Sequence, residues 1–144
     1  MSRRVSRSTT VDAPAEAVFA LLTDPSEHGG LDGSGTVQGM AGSDRRLGPG
    51  SRFRMRMRLG VPYRVTNEVV EFHQDRRIAW RHWGRHVWRW ELEPAGSGTR
   101  VTETFDWSAA LAPRALEVLR VPQRNTRSIE ATLRRLQARF GVGR

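Results

Sequence analysis

Four polar residues fall among the apolar positions of the predicted strands, and their types and spacing could do chemistry. His82 and His86 flank Trp83-Gly84-Arg85, and a hairpin at that segment makes the two histidines cross-strand neighbours. Glu103 and Asn67 take inward positions on two other strands. A carboxyl group and an imidazole that meet in an apolar pocket form a general acid–base pair, suited to enolisation, aldol closure or dehydration.

The same residues have other interpretations. A buried histidine and a buried glutamate can satisfy each other's polarity, or a strand can be shifted by one residue so that its faces are exchanged. Two histidines and a carboxylate can also bind zinc or iron, but the spacing matches no compact metal motif. We therefore name Glu103, His82 and His86 as candidate catalytic residues and predict no metal and no cofactor.

The periodicity of the chain predicts the elements that position these side chains. Residues 4–12 form a strand, Ala13-Pro14-Ala15-Glu16 opens a short helix, and a second short helix begins at Asp24. Residues 36–108 alternate as antiparallel strands joined by short turns. From Pro113 onward the apolar period is about 3.6 residues, which predicts a long C-terminal helix.

These elements predict an α+β fold in one domain that covers residues 1–144. A curved antiparallel sheet of about six to seven strands surrounds the long C-terminal helix, with two short helices after the first strand. Pro122 interrupts the helical pattern between Pro113 and the apolar face of the long helix. Because a curved sheet and a straight helix cannot touch along their whole length, we expect a cavity between them.

Alternation along the strands assigns the residues that line this cavity. They are mainly aromatic rings and methionines, which suit a flat, apolar or polycyclic ligand and equally an ordinary core. The glycine-rich stretch 29–35 is predicted either as a rim of the cavity, with Asp32 and Ser34 near its mouth, or as an ordinary connection. The predicted ligand-binding residues are Phe53, Met55, Met57, Tyr63, Asn67, Trp80, Trp88, Trp90, Phe105, Trp107, Asn125, Ile129 and Leu133.

Several stretches of the chain match a known family in order and in sequence. They are Val11-Asp12-Ala13-Pro14-Ala15-Glu16-Ala17-Val18-Phe19, Asp24-Pro25, Gly48-Pro49-Gly50-Ser51-Arg52-Phe53, Ile78-Ala79-Trp80, Trp90-Glu91-Leu92-Glu93-Pro94 and Gly98-Thr99-Arg100-Val101-Thr102-Glu103-Thr104. With them the chain resembles the helix-grip fold of the START/Bet v 1-like (SRPBCC) superfamily, and more narrowly its polyketide cyclase/dehydrase and lipid-transport group.

The resemblance implies a hydrophobic small-molecule ligand. Because the superfamily includes carriers, receptors, aromatase/cyclases, hydrolases and chaperone cofactors, it implies no single reaction. If the chain is an enzyme, the resemblance implies a polyketide cyclase, aromatase or dehydratase.

The net charge of +9, with 24 arginines and no lysine, offers a second function. A basic sheet face can bind nucleic acid or another anionic surface. No nucleic-acid-binding fold signature accompanies the charge, so we prefer a solvated face with cross-strand Arg–Glu pairs and keep nucleic acid as the alternative. Alternation places these charged residues on the outer face: Arg52, Arg54, Arg56, Arg58, Arg64, Arg77, Arg81, Arg89 and Arg100, against Glu68, Glu91 and Glu93.

Composition limits the remaining function classes. The chain has no cysteine, which excludes a disulfide scaffold, a cysteine zinc site and thiol catalysis. A polar N-terminus and the lack of a long apolar run predict a cytoplasmic protein that inserts into no membrane. A third hypothesis, an interaction module such as a chaperone cofactor, has no specific support, and the oligomeric state stays open, a homodimer included.

Overall fold

The computed structural model describes residues 2–24, 27, 37–40, 46–59, 61–82 and 84–143, and it describes the backbone alone at 37–40 and 56–59. The described elements follow the predicted order. They are β1 (Arg4–Val11), α1 (Ala15–Leu22), β2 (Val37–Met40), β3 (Arg52–Leu59), β4 (Val61–His73), β5 (Arg77–Arg81), β6 (Val87–Ala95), β7 (Gly98–Asp106), α2 (Pro113–Val118) and α3 (Val121–Phe140).

The seven strands form one antiparallel sheet in the order β1-β7-β6-β5-β4-β3-β2. This arrangement confirms the predicted α+β helix-grip fold, in which a meander is closed by pairing the first strand with the last. Helix α3 packs chiefly against β1 and β7. Neighbouring strands lie about 4.8 Å apart, so β4 is roughly 19 Å along the sheet from β1. The helix therefore covers one side of the sheet more closely than the other.

One end of the sheet is closed by backbone contacts as well as by apolar packing. The Thr99 hydroxyl donates to the carbonyl of Ala13 at 2.7 Å, and Asp12 N donates to the carbonyl of Gly141 at 3.0 Å. Gly98 lies directly against the backbone of Val11, where a Cβ atom would collide with the Val11 carbonyl oxygen. Only glycine lets the start of β7 approach β1 this closely.

The outer face of the sheet carries two acidic residues that the sequence analysis did not assign to it. A register shift between Val69 and Glu71 marks a β-bulge, and Glu71 then pairs with Ala79 on the outer face. Strict alternation from the inward Val69 would point Glu71 inward, and the bulge reverses this. Asp106 also lies outward and pairs with Arg4 at 3.0 Å. The predicted count of nine arginines against three glutamates therefore omits Glu71, Asp106 and Arg4, and the side chains of two of its arginines, Arg56 and Arg58, lie outside the described part of the chain.

Several arginines of the outer face form cross-strand ion pairs with glutamates, in agreement with the interpretation of this face as a solvated surface with Arg–Glu pairs. Arg89 contacts Glu71 at 2.6 Å, and Arg77 contacts Glu71 at 3.1 Å and Glu91 at 3.2 Å. Arg52 contacts Glu68 at 3.3 Å.

The C-terminal helical region is interrupted before Pro122, as predicted. Arg120 takes a left-handed conformation with φ 59°, and α3 begins at Val121 with Pro122 buried in its first turn. The second short helix expected from Asp24 and the stretch 29–35, with Asp32 and Ser34, fall largely outside the described residues. Within the described part of the chain, no helix has the length and apolar character to cross a bilayer.

Candidate ligand-binding site

Packing on the inner face of the sheet is uneven. At the end nearest α1, Ile78, Val101 and Leu136 have no exposed surface. The opposite end keeps partial exposure: Tyr63 is 40% exposed, and four further side chains are half-buried around the buried Asn67. We call this region the open end and define it by Tyr63, Val65, Asn67, His82, His86 and Trp88.

Two histidines form the hairpin side of the open end, as the sequence predicts. The rings of His82 and His86 meet edge to face with centroids 4.1 Å apart. Gly84 N donates to His82 Nδ1 at 3.1 Å, so the hydrogen of neutral His82 is on Nε2. Arg85 makes the turn with φ 62°, and Leu111 N donates to the Gly84 carbonyl at 3.1 Å. The hairpin is thereby tied to the segment that leads into α2.

Both imidazoles are neutral at neutral pH. Burial lowers the pKa of His82, and burial together with the nearby charge of His82 lowers the pKa of His86 to about 4. Neutral imidazoles can donate and accept hydrogen bonds without adding net charge. The histidine pair is therefore suited to an uncharged ligand.

Asn67 is the buried polar residue of the open end. It is 5% exposed and lies opposite Phe53 in the β3–β4 register. Glu68 pairs with Arg81, so the next position along β4 places Asn67 beside His82. Within the described part of the chain, the Asn67 side-chain amide has no hydrogen-bond partner. A polar group in this situation is available to a ligand.

Aromatic rings line the region next to the histidines. The ring centroids of Trp88 and Phe105 are 5.0 Å apart, and those of His86 and Phe105 are 5.3 Å apart. Trp107 stacks on Phe105 at 5.4 Å, and its Nε1 donates to Glu117 Oε2 at 3.1 Å. Of these rings, Trp88 is half-buried and offers a flat apolar surface at the open end, whereas Phe105 and Trp107 are buried and support it from the core.

Eleven of the thirteen predicted ligand-binding residues divide into two groups, and Asn125 and Met57 belong to neither. Tyr63, Asn67 and Trp88 lie at the open end, and Tyr63 is more exposed than a cavity-lining residue because it lies near the start of β4, at the end of the sheet. Asn125 is half-buried in the first turns of α3, and the side chain of Met57 lies outside the described part. The second group is buried in the core: Phe53, Met55, Trp80, Trp90, Phe105, Trp107, Ile129 and Leu133.

Glu103 lies apart from both histidines. It is buried at 7% exposure and pairs in register with Trp90 and with Arg7. His86 precedes Val87, so Trp90 is four positions further along the chain, or about 13 Å along the strand direction. The register therefore does not assemble the expected pair of Glu103 with His82 or His86.

A separate cleft of about 360 Å³ lies beside α1 and contains none of the predicted site residues. Arg46 borders it and donates to the carbonyl of Ala20 at 2.8 Å. Its lining residues are Glu16, Phe19, Ala20, Thr23, Arg46, Leu47, Phe72 and Gln74. Among the described residues, no three histidine, aspartate or glutamate side chains group closely enough to hold a metal ion.

One contributor to the site was not recognised from the sequence. The sequence predicts only a turn at Gly84, yet a Cβ atom there would lie 3.1 Å from His82 Cε1 and 3.4 Å from His86 Nδ1. A glycine midway between two histidines was the available signal. Its hydrogen atom in place of a side chain lets the two rings touch.

Comparisons with known proteins agree on the family and the fold. Residues 2–141 match the family model described as polyketide cyclase/dehydrase and lipid transport. A Mycobacterium tuberculosis protein, Rv0088, is 43% identical over 98% of this chain, and this chain spans 66% of the length of that relative.

Two solved structures share the fold at low sequence identity. Protein NE0264 from Nitrosomonas europaea is 18% identical with a TM-score of 0.70, covering 94% of this chain and 92% of its own. The AHSA1-like protein from Aeromonas hydrophila is 17% identical with a TM-score of 0.67, again covering 94% of this chain and 92% of its own.

Proposed function

Because this chain belongs to the polyketide cyclase/dehydrase and lipid-transport family, we propose that it binds an uncharged, hydrophobic small molecule with flat rings at the open end. The fold is a hydrophobic-ligand-binding fold. The observation that carries the proposal is the partial exposure of Trp88, His82 and His86 on an inner face where Ile78 and Val101 are fully buried.

The chemistry of the open end supports an apolar, ring-shaped ligand. A planar molecule beside Trp88 would remove apolar surface from water, at about 25 cal/mol per Å² of area. Offset or edge-to-face contact with the indole would add to this. The neutral histidine pair and the apolar Val65 offer no charge to an ionic ligand. These features favour neutral rings over phosphates or carboxylates.

Binding is better supported than catalysis. A cyclase or dehydratase needs a proton donor and an acceptor within reach of the same substrate. Because the strand register separates Glu103 from the histidines, such a reaction would depend on His82 and His86 alone. We therefore propose a ligand carrier or sensor first, and cyclisation or dehydration as a reaction that the histidine pair would have to support.

The test uses fluorenone, a flat neutral tricyclic ketone, and measures its dissociation constant by quenching of tryptophan fluorescence. Native mass spectrometry of gently purified protein tests for a lipophilic compound that copurifies. Val65→Trp places a bulky ring on the inner face of β4, and Thr66→Trp places the same ring on the exposed outer face of that strand. We expect Val65→Trp to weaken binding more than tenfold and Thr66→Trp to change it less than twofold.

As a control, circular dichroism and thermal unfolding are used to check that both variants fold. Saturable fluorenone binding that Val65→Trp abolishes supports the proposal. Equal binding by both variants, or no saturable binding by the unmodified chain, would contradict it.

A further inference from the structure

We propose that Asn67 selects ligands that carry a carbonyl or hydroxyl oxygen on the ring system, through one hydrogen bond to its side-chain amide. This inference rests on the proposed function, because it names the class of ligand that the open end prefers. It adds a specificity determinant to a site whose other walls are mainly rings and aliphatic groups.

The position of Asn67 is the first support. It is 5% exposed and lies on the inner face, opposite Phe53 of β3. Continuing the β4–β5 register by one residue from the pair of Glu68 and Arg81 places His82 beside it. Its neighbours along the same face of β4 are Val65 and Val69. None of these aliphatic or phenyl side chains can satisfy an amide.

The second support is that the Asn67 amide is uncommitted. No hydrogen bond to it occurs within the described part of the chain, and the adjacent His82 already accepts at Nδ1 from Gly84 N. Buried polar groups in proteins are usually hydrogen-bonded. Asn67 keeps a small exposed fraction of 5%, so an amide that lacks a protein partner at this partly exposed surface is open to a bound molecule.

The chemistry of the amide defines the ligand class. An asparagine side chain donates hydrogen bonds through its NH2 group and accepts them through its carbonyl oxygen. It can therefore donate to the oxygen of a ketone, and it can donate to or accept from a hydroxyl group. It is neutral, and the nearby histidines are neutral at neutral pH. A neutral oxygen therefore matches this site better than a carboxylate, which would be desolvated without a counter-charge.

The experiment compares fluorenone with fluorene, which has the same ring system without the oxygen. Dissociation constants for both are measured with the unmodified chain, with Asn67→Leu, and with Thr66→Val as the matched control. Leucine removes the amide at similar volume, and Thr66→Val removes a polar group from the exposed face of the same strand. For each protein we take the ratio of the fluorenone and fluorene dissociation constants. Comparing this ratio between proteins cancels the different water solubilities of the two probes.

We expect Asn67→Leu to weaken fluorenone binding about tenfold, equivalent to about 1.4 kcal/mol, and to change fluorene binding less than twofold. Thr66→Val should leave both constants unchanged. Because leucine replaces an unpartnered polar group, the melting temperature of Asn67→Leu without ligand should stay level or rise by about 3 °C. Asn67→Val is the second variant if leucine does not fit.

Equal effects of Asn67→Leu on both probes would overturn the inference while leaving the proposed function intact. A fall of the melting temperature by more than about 5 °C would also overturn it, since Asn67 would then be structural. Failure of both probes to bind the unmodified chain is a different result, and it would contradict the proposed function itself.

Discussion

Replacing Arg89 with leucine should destabilise the protein far more than replacing an exposed arginine of the same sheet face. Arg89 lies on β6 with 14% of its side chain exposed, and it bridges Glu71 at 2.6 Å and Asp106 at 3.6 Å. The Asp106 side chain is 7% exposed. Arg89→Leu would leave both carboxylates without this partner.

The magnitude follows from burial and geometry. Removing one partner of a buried ion pair costs about 3–5 kcal/mol, and an exposed pair contributes about 0–1 kcal/mol. Glu71 keeps 27% of its side chain exposed, so we expect a loss of about 2–4 kcal/mol in the free energy of unfolding at neutral pH. Arg52, whose side chain is 74% exposed, gives the matched control. Arg52→Leu should cost less than about 1 kcal/mol.

The loss of unfolding free energy caused by Arg89→Leu should also depend on pH. The hydrogen bond from Arg89 is the main cause that holds the pKa of Glu71 below its ordinary value. Burial raises the pKa of Asp106, but the Ser108 hydrogen bonds and the charges of Arg4 and Arg89 outweigh it and lower that pKa. A carboxyl group whose pKa is lower in the folded than in the unfolded protein contributes stability at pH values above its unfolded pKa. That stability is lost as the pH falls through the pKa of the folded protein.

Urea unfolding at pH 7 and at about pH 3.5 measures both effects by linear extrapolation. We expect the difference between Arg89→Leu and the unmodified chain to shrink at the lower pH. A loss at pH 7 no larger than that of Arg52→Leu, or a penalty that grows on acidification, would refute this description of the network.

Two further predictions concern the closed end and the hairpin. Gly98→Ala should lower the free energy of unfolding by at least about 2 kcal/mol, because its Cβ would collide with the Val11 carbonyl oxygen. Gly48→Ala, whose Cβ meets only Ser51 Oγ at 3.9 Å, should cost less than about 0.5 kcal/mol in the same urea unfolding assay. An NMR titration should show the His86 imidazole with a pKa of about 4. Since the unfolded value is about 6.5, stability should fall between about pH 6.5 and pH 4. Titration of all four histidines above pH 6 would contradict the burial of the pair.

The face of each residue was largely predictable from the sequence. Strict alternation on β3 placed Phe53 and Met55 inward, and both are buried. The long helix and the interruption at Pro122 followed from its period and from the missing N–H group of proline. These features are local, because side-chain direction along a strand or helix depends on nearby residues alone.

Features that depend on register and on position along the sheet were not predictable. Alternation places Glu103 and His86 on the same face but does not give their separation along the strands, which the β6–β7 register determines. The bulge beside Val69 reverses the direction of Glu71 without a glycine or proline to mark it. The exposure of Tyr63 depends on which part of the sheet α3 covers.

The central claim is that ligand binds at the open end of the sheet. Intermolecular NOEs between the ring protons of fluorenone and isotope-labelled protein locate the ligand directly. We predict NOEs to the Val65 methyl groups and to the Trp88 indole. NOEs confined to Ala20 and Leu47, in the cleft beside α1, or to outer-face residues such as Thr66, would contradict the claim.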